Sequence, residues 1–295
     1  MDRYRIGIDL GGTKIEAVLL TPNGTELHRN RMPTPKEENY PLILNTVFKQ
    51  IQDMADDIPG GRIFSVGIGI PGTVDQTTGC VHKANITCLI GKPFRHDLEQ
   101  LLGQKIAMEN DANCFTYIEA LKGAGKEYGT LVGIIMGTGV GGGICINNKI
   151  WHGRHGMAGE WGHFAMDPHG RDCYCGNRGC VETQISGSGV EASFRETFGR
   201  QLKMRDIVTG YRDKAPQCRT IFNQFLEDFG RFVGGLISML DPDAIVLGGG
   251  LSNIDELYDI GAKQASRYAF HDPITTPILR NMLGDSAGVL GAALL

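Results

Sequence analysis

The chain has 295 residues and a formal net charge of −4, from 29 basic and 33 acidic residues. With no basic block, that balance argues against a nucleic acid or a membrane surface as the main partner, and the length suits about two domains with a sizeable core. No apolar run approaches the ~20 residues that span a bilayer. The opening Met1-Asp2-Arg3-Tyr4-Arg5 leads into a strand with no apolar leader, so the expected compartment is the cytoplasm. Eight cysteines in that setting point to reduced thiols or metal ligands rather than disulfides.

Two short apolar strands, 4–8 and 15–20, flank the run Asp9-Leu10-Gly11-Gly12-Thr13-Lys14. A hairpin with paired glycines lets backbone N–H groups approach a phosphate, because no Cβ stands in the way. Asp9 offers a carboxylate for a hydrated Mg²⁺, Thr13 a hydroxyl and Lys14 a cation. The alternative is an ordinary hairpin turn with a surface lysine. A third strand is expected over 26–31, a helix over 40–55, and a strand over 64–70 ending at the turn signal Pro71-Gly72. A short helix over 97–102, a strand over 105–109 and a helix over 112–122 follow. Asp111 lies between that strand and helix, where an N-cap and a general base are equally good readings. The small, polar stretch 124–129 is the expected lobe boundary.

The glycine device then recurs as Gly137-Thr138-Gly139-Val140-Gly141-Gly142-Gly143, between strand-like runs 131–136 and 144–146. It matches G-x-G-x-x-G, but a dinucleotide fingerprint needs a helix at the last glycine, and a β-branched strand pattern follows instead. No P-loop motif occurs. Two such hairpins facing each other across a cleft would hold a nucleoside triphosphate from both sides. Farther on, Phe222, Phe225, Phe229, Phe232, Val233, Leu236 and Leu240 fall at helical spacing. Pro242 follows, and a strand over 244–247 runs into Gly248-Gly249-Gly250. Strands alternating with helices indicate the α/β class.

His163, Cys173, Cys175 and Cys180 supply one imidazole and three thiolates, the donors of a closed structural Zn²⁺ site. Gly176 and Gly179 suit the tight backbone of so short a loop. Cys80, Cys88, Cys114, Cys145 and Cys218 lack ligand spacing and read as small buried hydrophobes. Glu160 and Glu182 flank the metal residues, and carboxylates with an imidazole suit the vicinal hydroxyls of a sugar.

The two hairpins, Asn110-Asp111, Glu160-Trp161-Gly162-His163, the run from Cys173 to Glu182, and Gly248-Gly249-Gly250 together resemble the ROK (repressor, open reading frame, kinase) family of bacterial sugar kinases. The resemblance runs from about Ile6 to the C-terminus. It implies an actin-like, hexokinase-type fold of two RNase H-like lobes with a cleft between them. The smaller lobe would comprise 1–123 joined by a C-terminal helix at about 285–295, and the larger 124–284.

By resemblance Asp111 is the catalytic base, and Gly72, Asn85, Asn110, Asp111, Glu160, His163 and Glu182 contact the sugar. Asp9, Gly11, Gly12, Thr13, Lys14, Gly137, Thr138, Gly139, Gly248 and Gly249 serve ATP and Mg²⁺. The implied reaction transfers the γ-phosphoryl group to the 6-hydroxyl of a hexose, in a homodimer. Lys83-Ala84-Asn85-Ile86 and the run from Glu182 to Gly187 look closest to the fructokinase and mannokinase branch, with N-acetylglucosamine kinases next. A DNA-binding repressor is disfavoured because Asp9 leaves no room for a preceding domain. A catalytically silent sugar sensor is disfavoured because Asp111 and Lys14 are present. The hairpins are separate from the metal loop in sequence, so that loop is expected to bear on sugar binding more than on ATP.

Overall fold

A computed structural model describes residues 3–35, 39–61, 63–75 and 77–295; the opening Met1-Asp2 lies outside them. The described residues up to Ile118, together with Ile150–Ala158 and Asp285–Leu295, form one compact unit. Its elements begin with β1 (Tyr4–Leu10), β2 (Lys14–Leu20), β3 (Glu26–Pro33) and α1 (Tyr40–Asp56). They continue with β4 (Phe64–Ile70), β5 (Gly72–Val74), β6 (Val81–Ala84), α2 (Phe94–Leu102) and β7 (Ala107–Asn110), after which α3 (Asp111–Lys122) leads out of the unit. The main sheet has the order β3-β2-β1-β4-β7, with β1 antiparallel to β2 and parallel to β4. One face is covered by α1, whose Ile43, Val47, Ile51 and Met54 recur at helical spacing and join Ile6, Ile8 and Leu10 in the core. On the other, Val18 and Leu20 cluster with two residues of the C-terminal segment, Val289 and Ala293. With both faces covered, the central strands read as apolar runs rather than as a simple alternation.

The second unit comprises Glu119–Lys149 and Gly159–Gly284. Here β8 (Thr130–Met136), β9 (Val140–Ile146) and the first residue of β10 (Lys149–Ile150) are followed by α4 (Val181–Ile185), α5 (Gly187–Phe198), α6 (Met204–Arg212) and α7 (Pro216–Leu240). Then come β11 (Ala244–Gly248), α8 (Ile260–Tyr268) and β12 (Ile278–Arg280), before α9 (Ala287–Ala293) in the first unit. The sheet order β10-β9-β8-β11-β12 repeats the pattern of the first sheet, with β8 antiparallel to β9 and parallel to β11. The Phe-rich face of α7 is buried, as its spacing predicts. The α/β class holds. Among the described residues no helix is long and apolar enough to cross a membrane.

Several boundaries differ from the sequence reading. Strand β9 begins at Val140 rather than at 144, so Gly141–Gly143 lie inside a strand. A Cβ on Gly142 would stand 2.1 Å from the indole of Trp161, so glycine is there for close packing and not for a longer turn. The first unit ends inside α3 and includes Ile150–Ala158, whereas the composition shift suggests a change near 124 and leaves 150–158 in the second lobe. Composition marks loops, and this change of unit occurs within a helix. Helices α4, α5, α6 and α8 and strands β5, β6, β10 and β12 are additions. Of the cysteines read as buried hydrophobes, Cys114, Cys145 and Cys218 are buried, but Cys80 and Cys88 are only partly so. Cys80 lies in the turn after Asp75, whose carboxylate accepts the N–H groups of Thr77 and Thr78.

Candidate active site

In the first unit the β1–β2 hairpin closes through the Gly11 N–H donated to the Lys14 carbonyl at 3.0 Å. Thr34 braces it, its hydroxyl donating to the Gly11 carbonyl at 2.6 Å and its N–H to the Thr13 carbonyl. Asp9, the last residue but one of β1, lies opposite Glu16 in register. Burial first, then the neighbouring charge of Glu16, push the Asp9 carboxyl up to about 6. Glu16 is itself fully buried, 2.6 Å from Arg29 Nη1 and 2.9 Å from Arg31 Nε, and accepts the Ser286 hydroxyl at 3.0 Å. Burial alone would raise its pKa; the hydrogen bonds from Arg31, Arg29 and Ser286 outweigh burial and hold it below the usual range. Lys14 Nζ stands 3.6 Å from the same carboxylate. The lysine is thus oriented by a buried anion that motif reading missed. Its signal was an acidic residue within an otherwise apolar strand.

The sugar-side residues of this unit also converge. Asn110 donates through Nδ2 to the Gly72 carbonyl at 3.2 Å, and the Asn85 N–H donates to the carbonyl of Pro71 at 3.1 Å. The Asn110 side-chain oxygen accepts the N–H groups of Ala112 and Asn113, at 2.9 and 3.2 Å. Asn110 is therefore the helix cap, and Asp111 occupies the first turn of α3, where the helix dipole favours a carboxylate. An added Cβ on Gly69 would lie 3.7 Å from both Asp9 Oδ1 and Asp111 Cα, so the two acidic residues flank one point of β4. Glu109, just before the cap, accepts the Asn113 side-chain amide at 2.9 Å and pairs with His152 at 2.5 Å.

In the second unit Gly137, Thr138 and Gly139 form the β8–β9 turn, closed by the Gly137 N–H to the Gly139 carbonyl at 2.9 Å. Gly248 pairs with Ile135 at the ends of the parallel neighbours β11 and β8, which brings Gly248 and Gly249 beside that turn. Ligands of open α/β sheets sit at such carboxyl ends. Glu182 reaches the same turn, its Oε2 accepting the Val140 N–H at 2.9 Å. The expectation that the metal loop is separate from the nucleotide hairpins fails for the second hairpin, because α4 starts at the last thiol and lies against it.

His163, Cys173, Cys175 and Cys180 place their ligand atoms within 4.8 Å of one another. Cys173 Sγ is 3.6 Å from His163 Nδ1, and Cys175 Sγ is 3.6 Å from Cys180 Sγ. Donors about 2.0–2.3 Å from a tetrahedral zinc stand roughly 3.5–3.8 Å apart, so these two separations suit such an ion and the four residues could hold one. Gly176 and Gly179 take φ of 96° and 62°, the left-handed turns the loop requires. His163 Nε2 faces the Tyr174 hydroxyl at 3.0 Å, an orienting partner that ligand spacing could not reveal. Arg171 ties the loop down, donating to the carbonyls of Thr183 and Gly189 and to the Ser193 hydroxyl.

The ROK family matches the chain over residues 5–295. The N-acetyl-D-glucosamine kinase of Haemophilus influenzae (strain 86-028NP) is 38% identical over 300 residues, covering 98% of each chain. The enzyme of the same name from Pasteurella multocida (strain Pm70) is 38% identical over 302 residues, covering 99% of this chain and 98% of its own. Among solved structures, the ROK hexokinase from Thermus thermophilus has a TM-score of 0.87 at 29% identity, covering 99% of this chain and 97% of its own. The ROK family glucokinase from Streptomyces griseus, in complex with glucose and AMPPNP, has a TM-score of 0.81 at 30% identity, covering 98% of each. The fold is the α/β, two-domain fold of these hexokinases. The chain belongs to the ROK family.

Proposed function

We propose that this protein is an ATP-dependent sugar kinase whose preferred acceptor is N-acetylglucosamine, phosphorylated at its 6-hydroxyl. The observation that carries the chemistry is Asp111 in the first turn of α3, with Asp9 on the other side of Gly69. Asp111 accepts the 6-hydroxyl proton as the sugar oxygen bonds to the γ-phosphorus and the bond to the β,γ-bridging oxygen breaks, releasing ADP. Asn110 caps the helix, and the Ala112 N–H also donates to Asp111 Oδ1 at 2.8 Å, which holds the carboxylate at the helix start. The hairpin amides and Lys14 hold phosphate oxygens, with Glu16 orienting the lysine. Mg²⁺ suits Asp9, a carboxylate oxygen donor near the end of the hairpin's first strand, and when bound it would neutralise charge on the transferring group. Zinc suits the cysteine and histidine cluster as a closed scaffold beside Glu160 and Glu182.

For the acceptor, the sequence motifs put fructose, mannose or glucose first. Identity of 38% across almost the full length of N-acetylglucosamine kinases supports the alternative order. The glucokinase likeness at 30% supports glucose as a second acceptor. Shape alone often separates related substrates by only ~1–3 kcal/mol, so turnover of both is expected. A coupled ADP-release assay with N-acetylglucosamine, N-acetylmannosamine, glucose, fructose and mannose tests this. The expected result is the highest kcat/KM on N-acetylglucosamine. A higher value on glucose, fructose or mannose restores the hexose order, and no transfer to any of the five refutes the kinase reading.

A further inference from the structure

The second glycine hairpin is gripped from both ends of the metal loop. At the His163 end, the Gly162 Cβ position lies 2.0 Å from the Val140 carbonyl oxygen and Trp161 fills the space over Gly142. At the Cys180 end, the carboxylate of Glu182 accepts the Val140 N–H at 2.9 Å. It fills the Gly139 side so closely that a Cβ there would lie 2.3 Å from Oε2. The following residues add two ties: the Gly187 N–H donates to the Gly137 carbonyl at 2.8 Å, and the Ser188 hydroxyl donates to the Thr138 carbonyl. Gly139 and Val140 thus touch residues that adjoin a metal-ligating side chain, Gly162 beside His163 and Glu182 two after Cys180, while Gly137 and Thr138 are held by the start of α5, which follows α4 directly.

We infer that Glu182 is a positioning residue for the nucleotide hairpin, through which the occupancy of the Cys₃His cluster sets nucleotide affinity even without sugar. This rests on the proposed function only in taking the second hairpin as a nucleotide site. An occupied cluster holds the start of α4 and with it the Glu182 carboxylate, which keeps the Val140 N–H and the turn in one conformation. With the cluster empty, nucleotide binding must supply the ordering of that turn.

The test is calorimetric titration of ADP with Mg²⁺ into sugar-free protein, first zinc-loaded and then stripped by chelator, desalted and returned to Mg²⁺. A charge-assisted hydrogen bond is worth enough for roughly a tenfold change in Kd, and that rise is expected on stripping, with reversal on zinc return. Glu182→Ala should show the rise while still loaded, and stripping it should add less than about twofold, because both changes remove one connection. Glu182→Gln keeps an acceptor for the Val140 N–H and should hold ADP affinity near wild type. Sugar affinity, measured alongside, should fall in both variants. Unchanged ADP affinity on stripping, or additive losses from zinc and Glu182→Ala, overturns the inference. If Glu182→Ala does not fold, the stripping and Glu182→Gln arms decide it alone. Absence of ADP binding by loaded wild-type protein would instead refute the nucleotide reading.

Discussion

His152 Nε2 lies 2.5 Å from Glu109 Oε2, which ties the segment Ile150–Ala158 to the residue just before Asn110 and Asp111. The hydrogen bond with Glu109 raises the pKa of His152. Its contribution to stability is therefore complete below the ordinary histidine value and is lost as pH rises through the raised folded value. His152 is 51% exposed, so the pair is worth about 0.2–1 kcal/mol. Urea unfolding of wild type and His152→Ala should differ by that amount near pH ~5.5 and converge by about pH 9. A gap that widens toward high pH would reverse the assignment.

Asp111→Asn should leave sugar affinity largely intact and lower kcat by ~10²–10⁴-fold, since the amide keeps the shape but takes no proton. Asn110 already caps the helix, so the variant should fold with little loss of stability. Steady-state kinetics with a separate sugar-binding titration checks both. Retention of more than about a third of kcat would remove Asp111 as the base.

One zinc per chain is expected, held by His163, Cys173, Cys175 and Cys180. Cys175→Ser should weaken metal retention at least about tenfold and raise the sugar KM. Elemental analysis of protein purified without added metal is the direct measurement. Active enzyme with a zinc content near zero would exclude the site.

Glu119 is fully buried near the C-terminal end of α3 and accepts the N–H groups of Ala124, Met282 and Leu283 at 2.8, 3.1 and 3.0 Å. Glu119→Leu leaves these donors without that acceptor and should cost about 2–4 kcal/mol, with Glu119→Gln losing less. Denaturant unfolding of the two variants measures it. A Glu119→Leu cost below about 1 kcal/mol would show that other acceptors take over.

Local chemistry made the two glycine hairpins, the Phe-rich helix and the Cys₃His cluster legible in the sequence. A turn needs its glycines within a few residues, a helix repeats its apolar face every three or four, and four soft donors close together have few other uses. Asp111 stayed open between cap and base on those grounds because both need a short acidic side chain at a helix start. Only the fold shows that Asn110 accepts the Ala112 and Asn113 N–H groups, with Asp111 sharing the first of them. Tertiary structure likewise decided that buried Glu16 orients Lys14, that Trp161 requires Gly142 inside a strand, and that His152 belongs with Glu109. These partners lie from two to 43 positions apart. Lys14 and Glu16 share a strand face by the two-residue period, but the burial of Glu16 and the longer-range pairings are set by which strands and loops pack together, and no periodicity in the chain encodes those. The reach of Glu182 to Val140 is the sharpest case, since a residue read for its sugar chemistry owes its position to a backbone N–H 42 residues earlier.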